Sequence, residues 1–370
     1  MTDKTLKNKN YLAMVIIGLI LAVAFAVAFF GTRNQTSSSV TSNSVTSTDN
    51  SSVFSSSFRS NFSVALTESI SMPNVGQRFD HMAYDASAQL VFIVARGNNS
   101  VYVVNLITKN ASHFIRGLNE PQGVYYVPQN DRLFVSNAGD GTVDVFDGGN
   151  FSLIKTLNFS SNADNMRYDQ KNGLLYVGYG EGNQSGIGII NTSSDEVMGT
   201  IPLDGHPEAF ELEQNGTRIF VNVPTSSAIE VINRTTRNVV QTWPLTSALA
   251  NYPMALDERD HRLFVGFWYP SEVASYDTST GKIIASMNTS KDADDMFFDP
   301  VSHLVLVSCG QGFLDVFTQL NNGSIAVQDL VPTGILGRTS LFLPEQGELL
   351  IAVPQQNGID AQLMIFAVGK

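Results

Sequence analysis

The chain of 370 residues is poor in the groups that staple small domains or carry most chemistry. One cysteine, Cys309, excludes an intramolecular disulfide, so stability outside a cell has to come from packing. Cys309 closes an apolar stretch beside Gly310 and reads as a small buried residue rather than a nucleophile. Two tryptophans, Trp243 and Trp268, are too few to dock a quinone by repeated indoles, and five histidines are too few for a His-rich copper cluster. There is no C-x-x-C-H for c-type haem and no G-x-S-x-G elbow ahead of a helix. "GYGEG" (178–182) and "GQG" (310–312) lie at the ends of apolar strands and read as turns, not phosphate loops. Haem, quinone and nucleotide are therefore not expected as cofactors. Charge is sparse as well: 22 Lys and Arg stand against 34 Asp and Glu, for a net charge of -12. With no basic stripe to meet phosphates, nucleic acid is excluded as a partner, whereas the acidic surplus permits a cation.

What the sequence does contain begins with a signal of topology. "MTDKTLKNKN" carries Lys4, Lys7 and Lys9, and "YLAMVIIGLILAVAFAVAFF" (11–30) follows without a charge. Twenty apolar residues at about 1.5 Å each span one hydrocarbon core. The preceding lysines predict residues 1–10 as a cytoplasmic tail, 11–30 as a transmembrane anchor, and the remainder outside. The competing reading is a cleaved signal peptide, with Ala26 and Ala28 near the peptidase site. Residues 31–61 are dominated by Ser and Thr and cannot bury enough surface to offset ordering entropy; they read as a flexible stalk. N-x-[ST] occurs at 13 of the 30 asparagines: 34, 50, 61, 98, 110, 150, 158, 183, 191, 215, 233, 288 and 322. That density predicts N-linked glycans on a cell-surface domain; the alternative is a loop bias toward Asn, Ser and Thr.

From residue 62 the chain repeats. "LVFIVA" from Leu90, "LFVSNA" from Leu133, "LYVGYG" from Leu175, "IFVNVP" from Ile219, "LFVGFW" from Leu263, "LVLVSC" from Leu304 and "LLIAVP" from Leu349 recur at steps of 43, 42, 44, 44, 41 and 45 residues. No helical period is sustained between them. A period of this length with four short strands per unit predicts an all-β fold, a seven-bladed β-propeller over 62–370. The seventh unit offers only three strands before the chain stops, and "FSVALTESISM" (62–72) is an orphan ahead of the first. The orphan is expected to close the ring as the outer strand of blade seven.

The units resemble the YVTN-type repeat of seven-bladed propeller proteins over roughly 65–370. "RFDHMAYD", "EPQGVYYVP", "NADNMRYD", "GHPEAFELE", "NYPMALDE", "DADDMFFD" and "GRTSLFLPE" are similar to a recurring set in secreted or membrane-anchored members of that group. The resemblance implies the fold and a propeller channel; it implies no particular activity.

These seven stretches hold the candidate site. "DHMAYD", "DNMRYD" and "DDMFFD" share D-x-M-x-[FY]-D, and "YPMALD" is a relative. The final aspartates, Asp85, Asp169, Asp257 and Asp299, precede each anchor strand and should cap a hairpin turn. Met82, Met166, Met254 and Met296 alternate with Tyr84, Tyr168, Leu256 and Phe298 and should fill the gaps between blades. Asp292 reads as a solvated loop residue. The residues ahead of the methionines begin the innermost strands, which start at the channel mouth: Arg78, Asp80, His81, Gln122, Asp164, Asn165, Arg167, His206, Glu208, Asn251, Asp294, Asp295, Arg338, Thr339 and Ser340. Convergent polar groups in a concavity predict ligand binding. The competing reading is a ring of polar groups that satisfy one another. His81, Asn165, His206, Glu208 and Asp295 form a mixed N/O set of the kind that holds a divalent cation, Ca or Zn. That is similar to the metal-binding mouths of propeller lactonases and lyases. The expected function is a membrane-anchored surface module that binds a ligand or protein at the mouth. The alternatives are a metal-dependent hydrolase, lactonase or lyase using the same mouth, and a structural component of the cell envelope.

Overall fold

The computed structural model describes residues 63–369, apart from 76–77 and the side chains of 112–113. The tail, anchor and stalk (1–10, 11–30 and 31–61) lie outside the described residues. Among the described residues no helix is long and apolar enough to cross a membrane. Their regular structure is twenty-eight strands, β1–β28, in seven four-stranded antiparallel sheets, with three single-turn 3-10 helices at 96–98, 182–184 and 224–226. This is the expected all-β, seven-bladed propeller.

Six blades read outward from the channel in chain order, as in blade two: β6 (Pro121–Val127), β7 (Arg132–Asn137), β8 (Thr142–Asp147), β9 (Leu153–Asn158). The anchor motifs form the second strand of each blade. That strand has a neighbouring blade on both faces, which is why it reads as an unbroken apolar run rather than an alternation. Phe92, Phe134, Tyr176, Phe220, Phe264, Val305 and Leu350 on these strands are all buried. The hydrophobic clusters lie in the seams between blades: Met82 with Leu343 and Leu350, Met166 with Val127 and Phe134, Met254 with Phe220, and Met296 with Phe264. The methionines thus pack between neighbouring blades as expected.

The turn aspartates also behave as expected. Asp85 Oδ1 accepts from the Ser87 amide at 2.8 Å, Asp169 and Asp257 from the amides of Asn172 and Asp260 at 3.2 Å, and Asp299 from Val301 at 3.0 Å. Ordering of this kind fixes the lower end of the first hairpin and leaves the upper end for the mouth.

Ring closure is made by β1 (Val64–Met72), which pairs antiparallel with β28 (Ala361–Val368) from Val64↔Val368 to Met72↔Ala361. In all seven blades the outermost strand carries a register irregularity against its neighbour. These bulges twist the seven exposed edges away from strand addition.

Val64, Ile70 and Met72 of β1 are buried in the two clusters that flank blade seven. A chain starting at Ser63 is expected to unfold in one cooperative thermal transition. A chain starting at Pro73 should melt at least several degrees lower or aggregate through the freed edge of β28. Equal melting of the two by calorimetry would contradict closure by β1.

Candidate functional site

The innermost strands are β2 (Met82–Asp85), β6, β10 (Met166–Asp169), β14 (Phe210–Leu212), β18 (Leu249–Asp257), β22 (Ala293–Asp299) and β26 (Thr339–Leu343). All begin at one end of the channel. Their starts and adjoining turns line a cavity of about 350 Å³. Twelve of the fifteen candidates line it: Arg78, Asp80, His81, Gln122, Asp164, Asn165, His206, Glu208, Asp294, Asp295, Arg338 and Thr339.

Three do not. Ser340 gives its amide to Asp295 Oδ2. Asn251 is fully buried, its Nδ2 donating to Asn222 Oδ1 (2.9 Å) and to the Ala228 carbonyl (3.0 Å). The register of β18 shifts between Asn251 and Met254, which turns Asn251 into the seam with blade four and Tyr252 toward the mouth. Arg167 is not a wall of the cavity. Its Nε donates to Glu211 Oε1 at 3.1 Å, and it also reaches Asn165 Oδ1 and the Met166 carbonyl. Asp292 differs from expectation too: it is half-buried and forms an ion pair with Arg338, because the two loops meet at the seam of blades six and seven.

Five further residues complete the wall: Arg96, Asn162, Ala209, Tyr252 and Trp268. Arg96 begins the turn after the second strand of blade one, and Trp268 lies near the end of β19 (Arg262–Tyr269). Both come from the second strand, which runs back up to the mouth. Neither belongs to a first-strand start, although an indole at the upper end of an anchor strand is a signal visible in the sequence. Trp268 is pinned by donation from Nε1 to the Ala293 carbonyl at 2.7 Å, and its ring lies 4.3 Å from that of Tyr252.

Backbone contacts set the positions of the carboxylates. Asp164 N donates to Gly178 O at 2.8 Å, and Gly178 N donates to Asn165 O at 2.9 Å. The Ser136 hydroxyl accepts from Gly123 N (2.8 Å) and donates to Asp164 O (2.6 Å). Gly123 is required there, since a Cβ would come within 2.3 Å of Asp164 O.

The arginines are largely spoken for. Arg338 holds Asp292 and, from Nε, Asp294 at 3.1 Å. Arg78 pairs with Asp80 at 3.3 Å, and Arg96 meets Gln122 Oε1 at 2.5 Å and Glu120 at 3.3 Å. His81 Nδ1 lies 3.2 Å from Asp80 Oδ1 and 3.3 Å from Gln122 O. His206 donates from Nδ1 to Gly180 O at 2.7 Å and turns Nε2 toward Asp164 Oδ2 at 3.5 Å. Asp295 Oδ2 accepts from Ser340 N at 2.7 Å. Glu208 differs: among the described residues no hydrogen bond or ion pair holds its carboxyl. Asp164 Oδ1, on a residue only 7% exposed, accepts no hydrogen bond either.

The electrostatics follow from this crowding. Burial pushes Glu208 up to about 8, helped by the Asp164 charge and opposed by His206. Burial pushes Asp294 up to about 7 against the pull of Arg338, with Asp295 and Asp80 adding to the rise. Burial also raises Asp295, against the charge of His81. Burial alone would lower His81, but the Asp80 carboxylate, with Asp164 and Asp295, brings it up to about 10. His206 is raised in the same way by Asp164, once its burial is overcome. Asp164, despite its burial, is held below the ordinary carboxylate range by the two imidazolium groups. The arrangement is a ring of crowded carboxyls and imidazolium groups in which Asp164 keeps its charge. As for the five-residue cation set, no three His, Cys, Asp or Glu among the described residues are disposed to hold a metal ion. Both histidines instead spend ring nitrogens on carboxylates and carbonyls.

Fold and site together define a seven-bladed propeller whose channel mouth is a polar, aromatic-walled cavity. No protein-family model matches the chain. A stretch of 155 residues is 28% identical to "Uncharacterized protein YwhL" of Bacillus subtilis (strain 168). The match takes in 42% of this chain and 32% of the relative, so the chain spans about a third of that protein's length. Among solved structures, a chain of the "Crystal Structure of Mitotic Checkpoint Complex" superposes with a TM-score of 0.70 at 13% identity, covering 92% of this chain and 100% of that one. A chain of Kuenenia stuttgartiensis hydrazine synthase superposes with a TM-score of 0.66 at 16% identity, covering 75% and 94%. Both likenesses concern the fold alone.

The raised groups fix a pH dependence. A group whose pKa is higher folded than unfolded stabilises the fold at low pH and loses that contribution as pH climbs from its ordinary value to its folded one. Glu208 and Asp294 act between about pH 4 and 8, and the histidines above about pH 6.5. Within the mouth Asp164 acts oppositely, below its ordinary range, as do Glu213 and Asp277 elsewhere. The melting temperature is expected to be highest near pH 5 and to fall toward pH 9. The double substitution Glu208→Gln, Asp294→Asn should flatten the fall between pH 5 and 8. Melting temperatures that rise over that interval in the wild type would contradict the assignment.

Proposed function

We propose that the protein is a membrane-anchored extracytoplasmic binding module that takes a ligand at the mouth of its channel. The observation that carries this is Glu208. A ring built only to satisfy itself would not leave one carboxyl unpartnered, beside an aspartate oxygen that accepts nothing, at the wall of a cavity with room for a small molecule. Anchoring and surface exposure are supported by the apolar 11–30 segment and by the sequons. Of the ten sequon asparagines among the described residues, eight are exposed, Asn191 and Asn233 are half-buried and none is buried.

A hydrolase or lyase acting at the same mouth has one observation in its favour. A carboxyl protonated near neutrality, Glu208, stands beside an ionised one, Asp164, and environments that push two carboxyls apart suit acid–base division of labour. The two readings separate by turnover. The binding reading expects a ligand that leaves the mouth unchanged.

Two measurements test the proposal. The full chain should remain with membranes after alkaline carbonate extraction and lose mass on enzymatic removal of N-linked glycans; a soluble chain without glycans contradicts the location. Native mass spectrometry of the chain released gently from its membrane should detect a small non-covalent adduct. Glu208→Gln should lose that adduct while its melting temperature at pH 7 stays within a few degrees. Equal retention of the adduct by the variant places the ligand elsewhere and overturns the mouth reading.

A further inference from the structure

The residual valence of the mouth indicates what kind of ligand it takes; the inference rests on the mouth being a ligand site. Each arginine of the wall already faces a carboxylate: Arg78 faces Asp80, Arg96 faces Glu120 and Arg338 faces Asp292 and Asp294. His206 has both ring nitrogens directed at acceptors. The oxygens left over are all acidic. Among the described residues Glu208 has no partner, Asp164 Oδ1 accepts no hydrogen bond and has only His81 Nδ1 at 4.0 Å although its residue is more than nine-tenths buried, and Asp295 has the Ser340 amide but no ion pair. An anionic ligand would have to displace existing ion pairs. A cation would complete the set.

The aromatic pair then narrows the cation. Tyr252 and Trp268 stand in mutual contact on the wall shared with Glu208 and Asp294, and the indole is fixed by its bond to Ala293. A bare divalent ion has no use for an aromatic wall and needs several oxygens converging at about 2.0–2.6 Å. No three acidic or imidazole groups among the described residues are disposed in that way. An alkylammonium group, by contrast, gains from aromatic faces and carboxylates together. The cavity of about 350 Å³ lies at the small end of ligand sites.

We propose that the mouth binds a small organic ammonium ion, its charged head lodged between the carboxyls of Glu208 and Asp164 and the rings of Tyr252 and Trp268. The raised affinity of Glu208 for its proton is in keeping with this. Its neighbours Asp164, Asp294 and Asp80 repel a further negative charge, and His206 only partly offsets them. A bound cation supplies the missing counter-charge.

The test is calorimetric titration of the folded chain from Ser63 onward with tetramethylammonium chloride at pH 8. Ionic strength is held constant with sodium chloride, and calcium chloride and glucose serve as parallel probes. Saturable tetramethylammonium binding is expected, weakened roughly tenfold or more by Glu208→Gln and by Trp268→Leu. Glu120→Gln, which alters only a rim pair, should leave it unchanged. No saturable tetramethylammonium binding overturns the assignment, as does binding that Glu208→Gln and Trp268→Leu leave intact. Calcium or glucose binding that Glu208→Gln abolishes, with none to tetramethylammonium, would remove the ammonium class and leave the mouth a ligand site. Circular dichroism of each variant checks the fold, which Glu208→Gln should preserve because no contact holds that carboxyl.

Discussion

The pairing of β1 with β28 is the constraint on which the rest depends. Eight register partners, from Val64↔Val368 to Met72↔Ala361, join the two ends of the propeller. Without that ladder, blade seven would be three strands with an open edge, and the seam between blades seven and one would have only one fixed side. The mouth straddles that seam. Arg338 and Thr339 come from blade seven, Arg78, Asp80 and His81 from blade one, and all line one cavity. A contact between strands nearly three hundred residues apart in the chain therefore sets the geometry of a polar site that neither strand enters.

Within the closed ring, the site follows from a conflict between geometry and charge. Seven strands must begin around one small opening, and each start tends to be polar because its backbone is leaving a turn. Five carboxyls are brought together at Asp80, Asp164, Glu208, Asp294 and Asp295. Three arginines and two histidines stand against them, each through a specific contact to a carboxylate. The conflict is not resolved at Glu208, which keeps its proton up to about 8 instead of finding a partner. Where a fold leaves a half-buried carboxyl facing a cavity without a partner although arginines stand on the same wall, a ligand is the simplest completing element.

Much of this was legible in the sequence. The recurrence of six-residue apolar runs about every 43 residues gave the blade number, and the missing fourth strand of the last repeat gave the closure. Both are consequences of the second strand being buried on two faces, which writes itself into composition. The D-x-M-x-[FY]-D copies divided correctly into turn aspartate and seam methionine, because those roles are local. What could not be read was orientation at the mouth. Asn251 and Tyr252 differ by one position, and the register shift in β18 decided which of them faces the channel. Asp292 looked solvated because its partner, Arg338, is 46 residues away. Trp268 and Arg96 belong to returning strands, whose upper ends reach the mouth only once the hairpins are closed in three dimensions. Periodicity specifies where a residue lies along a strand; bulges and inter-blade pairing specify where it points.

The central claim is that the mouth holds an unpaired, desolvated carboxyl awaiting a counter-charge. The most direct measurement is a carbon-13 NMR titration of the Glu208 carboxyl in the folded chain, assigned with Glu208→Gln. The account predicts a midpoint near pH 8 in the free protein, falling toward the ordinary carboxylate range when the mouth is occupied by a cation. A midpoint near 4.5 in the free protein would mean that Glu208 is already solvated or paired, and would contradict the account.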